Sequence, residues 1–277
     1  MTIKDIVVNL SVAEGGSFAG DYAVSVAAAL DAHLAGIAFA YDPIVPVAST
    51  GYIPPEVIET QQHDSEEAAK AALTRFSRAA DRAGVVAEPT MLAASFAGAG
   101  DQFGQIARRF DLAIVGQAEP DTGAVEELIA ESALFESGRP VIVVPYIQKA
   151  PLKLDRVMAC WDGSRQAARA IADAMPLLER AGLVEVVIVA NERGKKDEIP
   201  GADMGQHLAR HGLKVDVKRI SEGSIDVADA LLSHAADVSA DFIVMGGYGH
   251  SRLREFVLGG VTRSILRSMT APVLMSH

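Results

Sequence analysis

The glycines Gly246, Gly247, Gly249, Gly259 and Gly260 are the residues of this chain best spaced to do chemistry. They follow the apolar run Asp241-Phe242-Ile243-Val244-Met245 and give the spacing Gly246-x2-Gly249-x9-Gly259. Glycine lets a backbone approach a ligand closely and adopt positive φ without steric cost. A helix that starts beside such a turn offers unpaired N–H groups and the positive end of its dipole. A strand before and a helix after is the context a phosphate cradle requires, which a lone glycine cluster lacks.

A second polar group, Asp162-Gly163-Ser164, follows the apolar stretch ending at Trp161. A carboxylate at a strand end accepts hydrogen bonds from ribose hydroxyls or an adenine amine. Turn formation by Asp162 and helix capping by Ser164 are the competing roles. His250 is either a phosphate partner when protonated or a solvated loop residue. Arg252 and Arg254 either reach a phosphate tail or face water, and Trp161 either borders a base or belongs to the core. His207 and His211 share a helical face, but Leu208 stands where a zinc-hydrolase motif needs Glu. With His234 they make no convincing metal set.

Strand-like and helix-like patterns alternate along the whole chain, the signature of an α/β fold with parallel strands. The expected strands are 3–10, 35–41, 85–92, 112–116 and 141–145, then 156–161, 184–190, 214–220, 242–245 and 273–276. The expected helices are 17–34, 63–83, 101–110 and 124–135, then 165–181, 205–211, 225–236 and 253–267. The stretches 42–62 and 191–200 read as loops, candidates for lids or partner contacts. Two passages repeat: Asp111–Gly116 resembles Asp241–Gly246, and Arg139–Val144 resembles Ala271–Ser276. The expectation is two tandem Rossmann-like domains, 1–149 and 150–277, each an open five-stranded, parallel-type sheet flanked by helices.

In such sheets ligands bind beyond the carboxyl ends of the strands, where strand order reverses. The second half keeps polar residues there and the first half loses them. Leu10-Ser11-Val12 stands where Asp162-Gly163 is expected, and Gly116-Gln117-Ala118-Glu119-Pro120 carries one glycine. Glu119 and Asp121 repel phosphate, and Ala130-Glu131-Ser132 is read as the counterpart of Gly259-Gly260-Val261. A single site, in the second half, is expected.

Composition agrees. Apolar residues make up 49% of the 277 and aromatic residues only 5%, a mixture suited to buried strands and Ala-rich helices. The net charge of −11 argues against nucleic acid or an anionic membrane as main partner. The single cysteine, Cys160, precludes an intramolecular disulfide and suits a reducing compartment. No run reaches a membrane span. Met1-Thr2-Ile3-Lys4-Asp5 lacks the plan of a signal peptide, so the cytoplasm is expected.

These residues, over essentially the whole chain, resemble the universal stress protein family in its two-domain form. The specific motif lies in the second half: Gly246-x2-Gly249-x9-Gly259, with Asp162 as the matching acid. The resemblance implies an ATP site, with ADP or AMP as alternatives and Mg²⁺ as an accompanying ion. Asp162 is implied beside the nucleoside, Ala190 at the adenine edge and Gly246 at the ribose. Gly249, His250, Ser251, Gly259, Gly260 and Val261 are implied around the phosphates. The family's Ser/Thr after Gly259 is replaced by Gly260, which removes one side-chain hydrogen bond, worth ~0.5–1.5 kcal/mol and more to a charged acceptor. The resemblance also implies pairing of the halves through their last strands, 141–145 and 273–276, as an intrachain pseudo-dimer, and makes a homodimer plausible.

Two function classes follow, and a third, an enzyme acting on an adenylated substrate, would need catalytic residues that are not found. One is an adenine-nucleotide-binding stress-response protein acting as sensor or regulator. The other is a structural or interaction protein with a vestigial motif. No Walker A lysine and no base for hydrolysis are found, so slow ATPase or autophosphorylation rests on the resemblance alone.

Overall fold

The computed structural model describes residues 2–13, 18–43, 54–120, 123–190, 201–221, 226–247 and 260–277. The first half runs β1 (Asp5–Leu10), α1 (Phe18–Leu30), β2 (His33–Tyr41), α2 (Pro55–Ala83), β3 (Ala87–Ala94), α3 (Gly98–Ala107), β4 (Leu112–Gly116), α4 (Ala124–Glu136) and β5 (Val141–Val144). The second runs β6 (Arg156–Cys160), α5 (Arg165–Leu178), β7 (Leu183–Ala190), α6 (Ala202–Arg210), β8 (Val215–Ser221), α7 (Val227–Asp237), β9 (Phe242–Gly246), α8 (Val261–Ser268) and β10 (Val273–Ser276).

All ten strands form one sheet in the order β3-β2-β1-β4-β5-β10-β9-β6-β7-β8. Each half has the same internal order, and all neighbours pair in parallel except β5 and β10. Those two pair antiparallel, Val143 with Val273 and Val141 with Met275. The last strands are therefore the buried centre of the sheet, joining the two halves within one chain. Their side chains are buried throughout, as a strand covered on both faces requires.

Apolar clusters fill both faces. Residues of β1, β2, β6, β7, α1, α2 and α5 make one; alternate strand residues with α3, α4, α7 and α8 make the other. The connection between the halves is pinned to the first: Leu152 donates its backbone N–H to Ser25 Oγ at 2.8 Å. Lys153 bridges Asp155 and Asp241 at 3.0 and 3.1 Å.

Among the described residues, two expected boundaries move by more than three residues. The helix read as 63–83 begins at Pro55, because proline at the first helical positions forfeits only an N–H that has no helical partner. The helix read as 17–34 ends at Leu30, and β2 starts at His33 after Asp31 takes a positive φ of 50°. Of the helix read as 253–267, α8 is the part within the described residues.

Candidate functional site

The strand order reverses twice. In the second half, β6 pairs with β7 on one side and β9 on the other, so the ends of β6 and β9 flank the switch point, the place where open sheets of this kind bind ligands. Asp162 and Gly246 stand at its two lips.

Asp162 is exposed, and its Oδ1 accepts the Ser164 backbone N–H at 2.9 Å. Gly163 makes the turn with φ +77°. Ser164 caps α5, its Oγ accepting from Ala167 N at 3.1 Å. The turn and cap roles are thus both filled, and they leave Asp162 Oδ2 free of any hydrogen bond within the described residues. Trp161 packs on the opposite face of the sheet, against the cluster that holds Ile188, and does not border the switch point on the side of Cys160. The partly buried Cys160 thiol is pushed up to about 12, first by burial and then by the Asp162 charge.

Gly246 ends β9, and it is glycine for a packing reason. A Cβ there would fall 2.6 Å from Ala167 N and 2.7 Å from Gln166 C. The first turn of α5 lies against the strand end, so the close approach is to the chain itself. Gly247 N donates to Ser276 O at 2.8 Å and abuts the Leu134 side chain of α4. Ala190 closes β7 at the same edge of the sheet, in register with Ser221.

Gly260 is the N-cap of α8, with no side-chain cap; its carbonyl accepts from Arg263 and Ser264. Val261 opens the helix, and Thr262, the nearest hydroxyl, is 3% exposed and turned into the core. Gly249, His250, Ser251 and Gly259, with Arg252 and Arg254, lie outside the described residues.

The first half differs at the equivalent places. Ala113 N bonds Pro140 O, and Ile243 N bonds Pro272 O, so the two prolines are equivalent. Counting back equally, Glu127 and Leu128 stand at the places of Gly259 and Gly260, and the reading of Ala130-Glu131-Ser132 as their counterpart is corrected. There α4 is already helical, and Glu127 N is bonded to Gly123 O at 2.9 Å. The amides that a phosphate would need are inside a helix. Ser11, the register equivalent of Asp162, donates its hydroxyl to Glu126 at 3.2 Å, placing a carboxylate of the chain itself at this edge. Asp121 lies outside the described residues.

Among the histidines, His207 and His211 stack edge to face on α6 at 4.8 Å, and His234 pairs with the buried Glu185 at 3.3 Å. No group of three metal-ligating side chains occurs among the described residues. Nor is any described helix long and apolar enough to cross a membrane. The sequence reading missed Gln117, buried between the halves, and Arg263, which reaches Glu127 of the first half at 3.6 Å.

Residues 153–277 match the family model described as universal stress protein family. A universal stress protein of Synechocystis sp. is 27% identical over 177 residues, which cover 60% of this chain and 57% of that relative. The chain thus spans less than two thirds of that relative's length. The solved structure of a universal stress protein from Archaeoglobus fulgidus has a TM-score of 0.73, at 17% identity, covering 98% of this chain and 96% of that one. A functionally unknown protein of Pseudomonas aeruginosa PAO1 has a TM-score of 0.62 at 13% identity, covering 99% and 92%. These two likenesses show the fold. The family match spans β6 to β10 and identifies residues 153–277, the second half, as a universal stress protein domain.

Proposed function

We propose that the second of two domains, residues 150–277, binds one adenine nucleotide at the β6–β9 switch point, and that the chain works as a nucleotide-dependent regulator. One observation carries the reading: the second half has a helix start at Gly260 where the first half has continuous helix. An uncapped helix N-terminus favours phosphate, and Asp162 on the facing lip suits a ribose or an adenine amine. Gly249, His250, Ser251 and Gly259 are assigned to the phosphates, Ala190 to the base, and Mg²⁺ to the ligand when ATP is bound. The domain 1–149 acts as scaffold. The reading assigns binding rather than turnover.

The test is calorimetry with ATP on nucleotide-stripped protein beside Gly249→Asp. Saturable binding that the added carboxylate abolishes supports the reading. Absence of binding at millimolar ATP favours the interaction-protein alternative.

A further inference from the structure

Gln117 stands in the first half at the place that Gly247 occupies in the second. Each follows the end of its strand, β4 or β9, and each donates its backbone N–H to the neighbouring last strand, Gln117 to Val144 O and Gly247 to Ser276 O. The side chain is where they differ. Gln117 is 2% exposed, and its Nε2 donates to Leu266 O at 2.9 Å and Arg267 O at 3.1 Å. Its Oε1 accepts from Tyr146 N at 3.2 Å. Every hydrogen-bonding atom of the amide is used.

Leu266 and Arg267 lie in the last turn of α8, whose carbonyls have no partner within the helix. A residue of the first half thus completes the C-terminal end of the helix whose N-terminal end is the proposed phosphate site. α8 has eight residues, so the two ends are about 12 Å apart at 1.5 Å per residue. Along the side facing α4, the helix borders a cleft of about 500 Å³ lined by Glu119, Glu127, Glu131, Arg263 and Arg267. Packing across that side is open, and direct polar links span it: the Gln117 amide and the Arg263–Glu127 pair, the latter half-exposed and therefore weak.

We infer that Gln117 is a positioning residue for the nucleotide: it touches no ligand, yet fixes the axial placement of α8 and so of the Gly260 end. The first half is then a working part of the site, and the chain binds as one unit. The inference rests on the nucleotide reading above, but its structural core can be tested without ligand.

The experiment uses the full chain and compares wild type, Gln117→Met and Gln117→Glu. Met keeps length and removes all the side chain's hydrogen bonds. Glu keeps the acceptor for Tyr146 and loses the donor at neutral pH. Calorimetry with ATP at pH 8 should show about tenfold weaker binding in both variants, with circular dichroism unchanged. As pH falls to 5.5 the introduced carboxyl regains a proton, its pKa raised by burial. The ratio of Gln117→Glu to wild-type affinity should then approach one, while the Gln117→Met ratio stays low. Binding by both variants within twofold of wild type, or identical pH profiles for the two, overturns the positioning role. Amide exchange on ligand-free protein separates this from the nucleotide reading. Faster exchange of the α8 amides in Gln117→Met shows that Gln117 holds α8 in place, whereas absence of ATP binding by wild type would overturn the nucleotide reading and unchanged exchange would overturn the positioning role.

Discussion

Gly246 lies against Ala167: a Cβ added to the glycine would fall 2.6 Å from the Ala167 backbone nitrogen. The first glycine of the motif is thus required by the packing of α5 on β9 before any ligand arrives. Backbone cannot retreat as a flexible side chain can. Gly246→Ala should lower stability by about 1–3 kcal/mol, read as a shift of the urea midpoint in ligand-free protein. An unshifted midpoint would show that the strand end tolerates a side chain.

Asp162 offers a clean separation of fold from binding. One carboxylate oxygen holds the turn by accepting from Ser164 N, a bond that asparagine can keep. Asp162→Asn should leave the thermal midpoint nearly unchanged while weakening nucleotide binding. Asp162→Ala should lose both, with a stability cost of about 1 kcal/mol for the lost hydrogen bond. Equal nucleotide affinity in wild type and Asp162→Asn would confine Asp162 to the turn.

Cys160 should be inert in the folded chain. Burial and the neighbouring Asp162 charge raise its thiol from 9.0 to about 12, so the reactive thiolate is scarce at pH 8. Modification by a disulfide reagent should be slow in native protein and fast in urea. The linkage follows from the raised folded value: the contribution to stability is intact below about 9 and is lost between about 9 and about 12. Stability measured against pH should therefore fall more steeply over that window in wild type than in Cys160→Ala. Parallel curves would contradict the burial argument.

The partly buried His234 pairs with the buried Glu185, their side chains 12% and 5% exposed. Removing one partner strands the other in the core. His234→Ala should cost on the order of 3 kcal/mol, and Leu at both positions should recover most of it. Chemical denaturation checks this, and equal stabilities for wild type and His234→Ala would contradict it.

Much of this was legible in the residues, and the failures have physical causes. The repeats Asp111–Gly116 with Asp241–Gly246 and Arg139–Val144 with Ala271–Ser276 fall on β4, β9, β5 and β10. Short apolar runs align without ambiguity when bracketed, β4 and β9 by an acid before and a glycine at the end, β5 and β10 by a proline before. Helices do not: their pattern recurs about every 3.6 residues, so matching α4 to α8 by composition slipped by almost one turn. Hydrogen bonds from Ala113 to Pro140 and from Ile243 to Pro272 fix the register that composition leaves open. Prolines 54 and 55 hid the start of α2, although Pro55 sits where proline suits a helix. Gln117 was visible only as a polar residue where glycine was expected. Its role depends on carbonyls about 150 residues away, which no local pattern reports.

The central claim is a single site, in the second half, built because α8 starts where α4 continues. Calorimetric titration of nucleotide-stripped wild type with ATP counts sites directly. One site per chain is expected. Two sites per chain would contradict it, because the first half would then hold a nucleotide despite its continuous helix, and no site would remove the nucleotide altogether.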